Sequence, residues 1–301
     1  MEYCIRGSDS DGSYSISITE KELVKAQKCK KRLLKALGIE EKFNIVLENY
    51  LEYEKELLDV TLRKAISFDM SDSRDIIHSM NRRLVNLLST CRMYLDQVPQ
   101  DIGSLLGQDS VVRESFQDQR SEEYDSRLGY RVMEALRNYV QHRGLPVHLI
   151  SYKSSWIDPE SDEDSRHRRQ RTIIKINVDR LEEDKEFKKS VVEESRSIGS
   201  QVNLKPLVRE YITGLMEAHQ VIRKELEQHL NKWDKAVLDL VERFRTETET
   251  NAGLLESIAI GPDGRVLEEV QLLEDIISRR RTLRGKNRGF GDLLKLRISS
   301  F

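Results

Sequence analysis

The sequence predicts a mainly α fold: an antiparallel helical bundle with an inserted β-hairpin and a small C-terminal extension. Three observations predict it. Apolar residues recur every three to four positions over long stretches, the period of an amphipathic helix. Only 5 prolines and 15 glycines stand among 301 residues, so little interrupts those stretches. Two runs, VHLISY and RTIIKINV, flank a charged, turn-rich segment, SSWIDPESDEDSRHRRQ, as the strands of a hairpin flank its tip.

The elements follow in order. YSISI (14–18) alternates and reads as a short strand behind an N-terminal tail. Thr19 followed by Glu22 is a capping-box pattern opening a modest helix on Leu23, Ala26, Leu33 and Leu34, expected to end near Gly38. A long helix is predicted over 41–67, its stripe running from Phe43 through Tyr50 and Leu57 to Ala65. Ser71 or Asp72 caps the next, which carries Ile76, Met80, Leu84, Leu87, Cys91 and Leu95 to about Gln97. VPQDIGSLLG then reads as a connector, with a short piece at 109–115.

Another helix begins near Phe116 or Ser121 and buries Leu128, Val132, Ala135, Leu136 and Tyr139. It must end near Arg143, because Gly144 is a favoured stop and Pro146 follows. The hairpin strands are expected at 147–152 and 171–178, joined by a long, mobile tip, and a helix at about 181–196 comes next. The longest helix, 204–246, carries a stripe from Leu207 to Val241, a length that suits a bundle helix extending past its domain or a dimer element. IAIGPDGRVLEE reads as a strand, a turn and a helix start, and 276–284 is basic at its end. The expected organisation is an N-terminal strand and helix extension (1–39), a helical bundle (40–246, with the hairpin insert at about 146–178) and a basic C-terminal extension (247–301).

Composition narrows the function classes. Lys plus Arg total 50 against 52 Asp plus Glu, a formal net charge of −2, so a nucleic-acid site has to be a local patch. Two such patches stand out: Arg166, His167, Arg168, Arg169 and Arg171, balanced by the preceding acids, and RRTLRGKNR (280–288), which no acid interrupts. Cys4, Cys29 and Cys91 are odd in number and lack metal-ligand spacing, which fits a reducing, cytoplasmic compartment. No segment reaches the ~18 apolar residues of a membrane span, and MEYCIRGSDSDG lacks a signal-peptide core. His219 and His229 have no partners at ligand spacing, and GPDGR and GKNRG match no phosphate-binding loop, so no metal or cofactor is expected.

The stretch with the most chemical content is RNYVQH (137–142), at the end of its helix. Arg137 is expected on the polar half of the helix, away from its apolar centre, and about 140° from His142 around a helix that turns about 100° per residue. Asn138 and His142, four apart, share a side, with Glu134 one turn earlier and Arg131 nearby. A histidine can exchange a proton with a ribose 2′-hydroxyl or a leaving 5′-oxygen. An arginine can hold a phosphate and stabilise charge growing on it, and an asparagine can orient either. Two routes would bring these groups together: a flexible arginine side chain reaching the same pocket within one chain, or, more naturally, two copies of the helix paired across a twofold axis at one cleft. Taken alone, the same three residues also read as surface or cap groups, since a histidine is favourable at a helix C-terminus.

RNYVQH resembles the motif of the HEPN superfamily (higher eukaryotes and prokaryotes nucleotide-binding), in which an arginine, a polar residue and a histidine close a long helix of a helical bundle. Here these are Arg137, Asn138 and His142, with four residues between the first and the last. The resemblance extends over about 40–246 through YRVMEALRNYVQHRGLPVH and NRRLVNLLSTCRMYLDQ, with 146–178 departing as an insert. It implies a metal-independent endoribonuclease, catalytic through Arg137, Asn138 and His142, that acts as a homodimer on RNA to give 2′,3′-cyclic phosphate and 5′-hydroxyl ends. A bacterial toxin or antiviral defence role, with an antitoxin or defence-complex partner, is implied with it. Some related toxins carry a modified tyrosine two positions after the histidine; Gly144 stands there in this chain. The alternative class is a non-catalytic helical subunit that binds RNA or protein; a regulator with a vestigial histidine is a third. Asn81, Arg82 and Arg83 read as lining the same cleft or as an ordinary exposed face, and His148 carries no assigned chemistry.

Overall fold

In the computed structural model the chain is mainly helical, with two small antiparallel sheets. The structure describes residues 1–10, 12–66, 73–157, 168–250, 252–286 and 293–295. Two compact units emerge: unit 1 (1–42, 98–113 and 221–289) and unit 2 (43–97, 114–220 and 290–301). The three long helices α1 (Glu20–Ile66), α2 (Ser73–Leu106) and α7 (Leu204–Thr248) contribute residues to both. Among the described residues no helix is long and apolar enough to cross a membrane.

Unit 1 contains a sheet in the order β2-β1-β6-β7, from β1 (Glu2–Ser8), β2 (Ser13–Ser17), β6 (Leu255–Ile260) and β7 (Val266–Gln271). Strand β1 pairs with β2 on one side, Cys4 opposite Ser17, and with β6 on the other, Glu2 opposite Ile260. Strands from residues 2–17 and 255–271 therefore share one sheet. The capping box at the start of α1 is formed: the Glu22 carboxylate accepts from the Thr19 N–H at 2.7 Å, and the Thr19 hydroxyl accepts from the Glu22 N–H at 3.3 Å. The expected stop at Gly38 does not occur. Ala36, Ile39 and Phe43 carry the buried stripe through it, and burial outweighs the roughly 1 kcal/mol a glycine costs within a helix.

The connector expected after Gln97 is also helix. Strand-free and continuous, α2 passes through Pro99, with Val98, Ile102 and Leu105 extending its buried stripe. The expected caps Ser71 and Asp72 lie outside the described residues. VLEE, expected to open a helix, is strand β7, antiparallel to β6 across a turn in which Gly264 has φ +78°. Helix α8, the last among the described residues, spans Glu274–Lys286.

Unit 2 has an aromatic core. The ring of His219 stacks on Phe43 at 3.8 Å, and the Tyr94 hydroxyl lies 2.9 Å from His219 Nδ1. Its second sheet, in the order β3-β4-β5, comprises β3 (Leu149–Trp156), β4 (Arg168–Asn177) and the unforeseen β5 (Gln201–Asn203). The expected hairpin is present with longer strands, Leu149 opposite Lys175 and Trp156 opposite Arg168. The expected mobile tip lies outside the described residues. The helix expected at 181–196 is two pieces, α5 (Val178–Glu182) and α6 (Lys189–Ile198), and Asn177 caps the first by accepting from the Asp179 N–H at 2.9 Å.

The helix that carries RNYVQH is likewise divided, into α3 (Val111–Ser126) and α4 (Leu128–His142), with Arg127 extended between them. The break lets the start of α4 meet α7. Gly129 donates its N–H to Glu210 Oε2 at 2.7 Å, and a Cβ there would lie 2.5 Å from the Leu207 carbonyl oxygen. Since backbone cannot give way as a side-chain tip does, Gly129→Ala is expected to destabilise the chain by about 1–3 kcal/mol. A thermal melt unchanged from wild type would contradict this close approach.

Candidate functional site

The site is built on α4. Its buried side carries Tyr130, Val132, Met133 and Leu136, spaced as one helical face. Arg137 joins that side: it is 8% exposed, whereas Asn138 and His142 are exposed. Asn138 and His142 share the solvent side as the sequence predicts, but Arg137, expected on the polar half of the helix, lies on the buried side, where Glu134 and Asn138 satisfy its guanidinium.

A carboxylate makes Arg137 burial tolerable. Arg137 Nη1 donates to Glu134 Oε2 at 2.9 Å, and Nη2 donates to Asn138 Oδ1 at 3.1 Å. The Tyr211 hydroxyl donates to the other Glu134 oxygen at 2.6 Å. Tyr211 is wholly buried on α7 with its ring edge-on to Tyr130, and burial raises its phenol well above the ordinary range. Burial likewise raises the Cys91 thiol well above its usual value, reinforced by the Glu134 charge, so Cys91 is a protonated apolar neighbour. The guanidinium is thus held by a chain of groups, Tyr211 to Glu134 to Arg137 to Asn138.

The sequence places Glu134 one turn before Asn138 but does not reveal this hold on Arg137. The one signal it carries is spacing: Glu134 and Arg137 are i and i+3 on one helix. Arg131 turns elsewhere, to Glu194 at 2.5 Å and to the Tyr124 and Asp125 carbonyls at 2.7 Å. Asn138 orients Arg137. His142 is the last residue of α4, and the helix closes behind it with the Arg143 and Gly144 N–H groups both donating to the Tyr139 carbonyl.

Asn81 is 1% exposed and makes a reciprocal pair with the Val147 main chain, accepting from its N–H at 2.8 Å and donating to its carbonyl at 3.1 Å. It fixes the segment that leaves α4. Arg83 pairs with Glu52 and Glu56, and Arg82 is exposed. His148 Nδ1 accepts from the Asn177 N–H at 3.0 Å. Burial, then the nearby Arg180 charge, lowers the His148 pKa below its ordinary 6.5. A depressed histidine favours the fold while neutral, above its unfolded pKa, and that contribution is lost as pH falls through the folded value. Denaturation midpoints at pH 7.5 and 5.5 are therefore expected to differ less in His148→Ala than in wild type. An equal difference in both proteins would show that this histidine does not carry the effect.

The two basic runs fare differently. Arg166 and His167 lie outside the described residues, as do Asn287 and Arg288, while Arg168, Arg169 and Arg171 are exposed on β4. The expectation of an uncountered patch from 280 on is corrected by the structure. Arg280 is buried and donates to both Asp234 oxygens at 2.7 and 2.6 Å, Arg281 reaches Asp234 at 3.2 Å, and Arg284 reaches Glu227 at 3.5 Å. Those acids stand on α7, remote in sequence. Among the described residues no group of three His, Cys, Asp or Glu is placed to hold a metal.

Comparison with known proteins adds no relative: no family model, curated protein or solved structure matches this chain.

Proposed function

We propose that the chain is a metal-independent endoribonuclease of HEPN type, acting on RNA as a homodimer in a bacterial toxin or defence setting. The observation that carries this reading is the constellation on the last turns of α4: an arginine oriented by Glu134 and Asn138, and an exposed histidine at the helix end. In the reaction the ribose 2′-oxygen attacks the adjacent phosphorus while an imidazole takes its proton. The bond from phosphorus to O5′ breaks and O5′ gains a proton, leaving a 2′,3′-cyclic phosphate and a 5′-hydroxyl. His142 serves as the acid or base. Arg137 stabilises charge on the phosphoryl oxygens, and Asn138 and Glu134 position it. Pairing of two chains brings two motifs to one cleft.

A second reading is favoured by one observation. The Glu134 carboxylate already neutralises Arg137, which suits a non-catalytic subunit that binds RNA or protein through other surfaces. One experiment separates the two. Purified protein is incubated with a broad RNA pool and chelator, product ends are analysed, and mass is followed by light scattering. Cleavage to cyclic-phosphate ends by a dimer, lost in His142→Ala, supports the nuclease. No cleavage by either protein, or an active strict monomer, rejects it as stated.

A further inference from the structure

Unit 1 holds a groove of about 650 Å³ between the first turns of α1, the end of α2 and the middle of α7. Lys21, Lys25, Lys28, Arg32 and Lys232 line it, with Trp233 at its floor. Among the described residues Glu20 is the one acidic group lining it. None of the five cations forms an ion pair among the described residues. Elsewhere in the same unit Arg223 is paired with Glu40, Arg243 with Glu22 and Arg280 with Asp234. A chain of net charge −2 that pairs so many of its arginines leaves these cations together around one concavity. Their mutual repulsion is relieved by an anion.

The groove offers planar groups as well as charge. The Arg32 guanidinium lies 5.3 Å over the Trp233 ring, and the exposed His229 imidazole stands 5.7 Å from that ring. Cys29 lies on the same wall; burial raises its thiol pKa while the Lys25, Arg32 and Lys232 charges pull the other way. We propose that this groove binds a free polyphosphorylated nucleotide, its phosphates among the lysines and its base against the Arg32 and His229 planes. Lysines serve phosphates as mobile point charges, and guanidinium and aromatic planes stack bases. The volume falls within the range of about 300–1,000 Å³ typical of small-ligand sites. No residue of this groove belongs to α4, and the proposal does not rest on ribonuclease activity.

The test uses the full chain with Trp156→Phe, which leaves Trp233 as the remaining one of 2 tryptophans. ATP, GTP, inorganic tripolyphosphate, adenosine and a short single-stranded RNA are titrated by fluorescence, with calorimetry reading any binding that leaves fluorescence unchanged. A nucleoside triphosphate is expected to bind saturably, with tripolyphosphate and adenosine each weaker by about tenfold or more. Lys25→Glu/Lys28→Glu/Lys232→Glu is expected to lose that binding with an unchanged circular dichroism spectrum, and His142→Ala to keep it. Four results would each overturn the proposal: no nucleotide binding, equal binding of tripolyphosphate, RNA binding without nucleotide binding, or full binding by the folded triple variant. An adventitious anion site is the meaning of the second.

Discussion

His142→Ala is expected to lower RNA cleavage by about 10²- to 10⁴-fold, the usual contribution of a general acid or base, with no change in thermal stability. The structure makes this substitution a clean probe. His142 is exposed at the last residue of α4, and the bonds that close the helix behind it run between main-chain groups of Tyr139, Arg143 and Gly144. Among the described residues the imidazole makes no hydrogen bond, ion pair or ring contact, so removing it changes chemistry without changing the fold. Arg137→Ala is a poorer probe. It leaves the Glu134 carboxylate without its cation in a largely buried place, so lost activity and lost stability arrive together. Cleavage by His142→Ala within a few-fold of wild type, measured on the same RNA with chelator, would remove the histidine from the mechanism.

The largest stability effect is expected at Asp234. Its carboxylate receives two bonds from Arg280, and both side chains are 5% exposed. Asp234→Ala strips a buried guanidinium of its counter-charge, a change that typically costs about 3–5 kcal/mol. Replacing both partners with apolar residues removes the stranded charge as well, so Asp234→Leu/Arg280→Met is expected to recover most of the loss. Urea denaturation of wild type, single and double variants measures the pair directly. A single variant within about 0.5 kcal/mol of wild type, the range of ordinary surface changes, would mean that the pair contributes little.

Much of the helical frame was legible because helices are read from local spacing. The start of α7 and its end within two residues followed from one apolar stripe, and the hairpin from two alternating runs. Gly38 and Pro99 misled because local breakers were weighed against a stripe whose burial is decided by distant partners. Strand β1 escaped notice because EYCIRGS does not alternate cleanly, and the partners that pair with it on both sides include β6, about 250 residues away. At the candidate site, the shared side of Asn138 and His142 was readable from steps of about 100°, whereas the burial of Arg137 and the hold of Tyr211 on Glu134 were not, the latter joining residues 77 apart. The basic run from 280 failed for the same reason: a charge count along the chain cannot see Asp234 on another helix.

The sheet of unit 1 also sets an order of assembly during synthesis. Arg6 on β1 meets Glu256 on β6 across 250 positions of sequence. While the ribosome builds the intervening helices, β1 and β2 have only each other, and a two-stranded hairpin alone is marginal in water. Closing so large a loop is slow relative to forming local helices. The emerging chain therefore exposes one edge of β1 until β6 arrives, an edge on which another strand can pair. Nascent chains halted before residue 255 are accordingly the forms most in need of a chaperone.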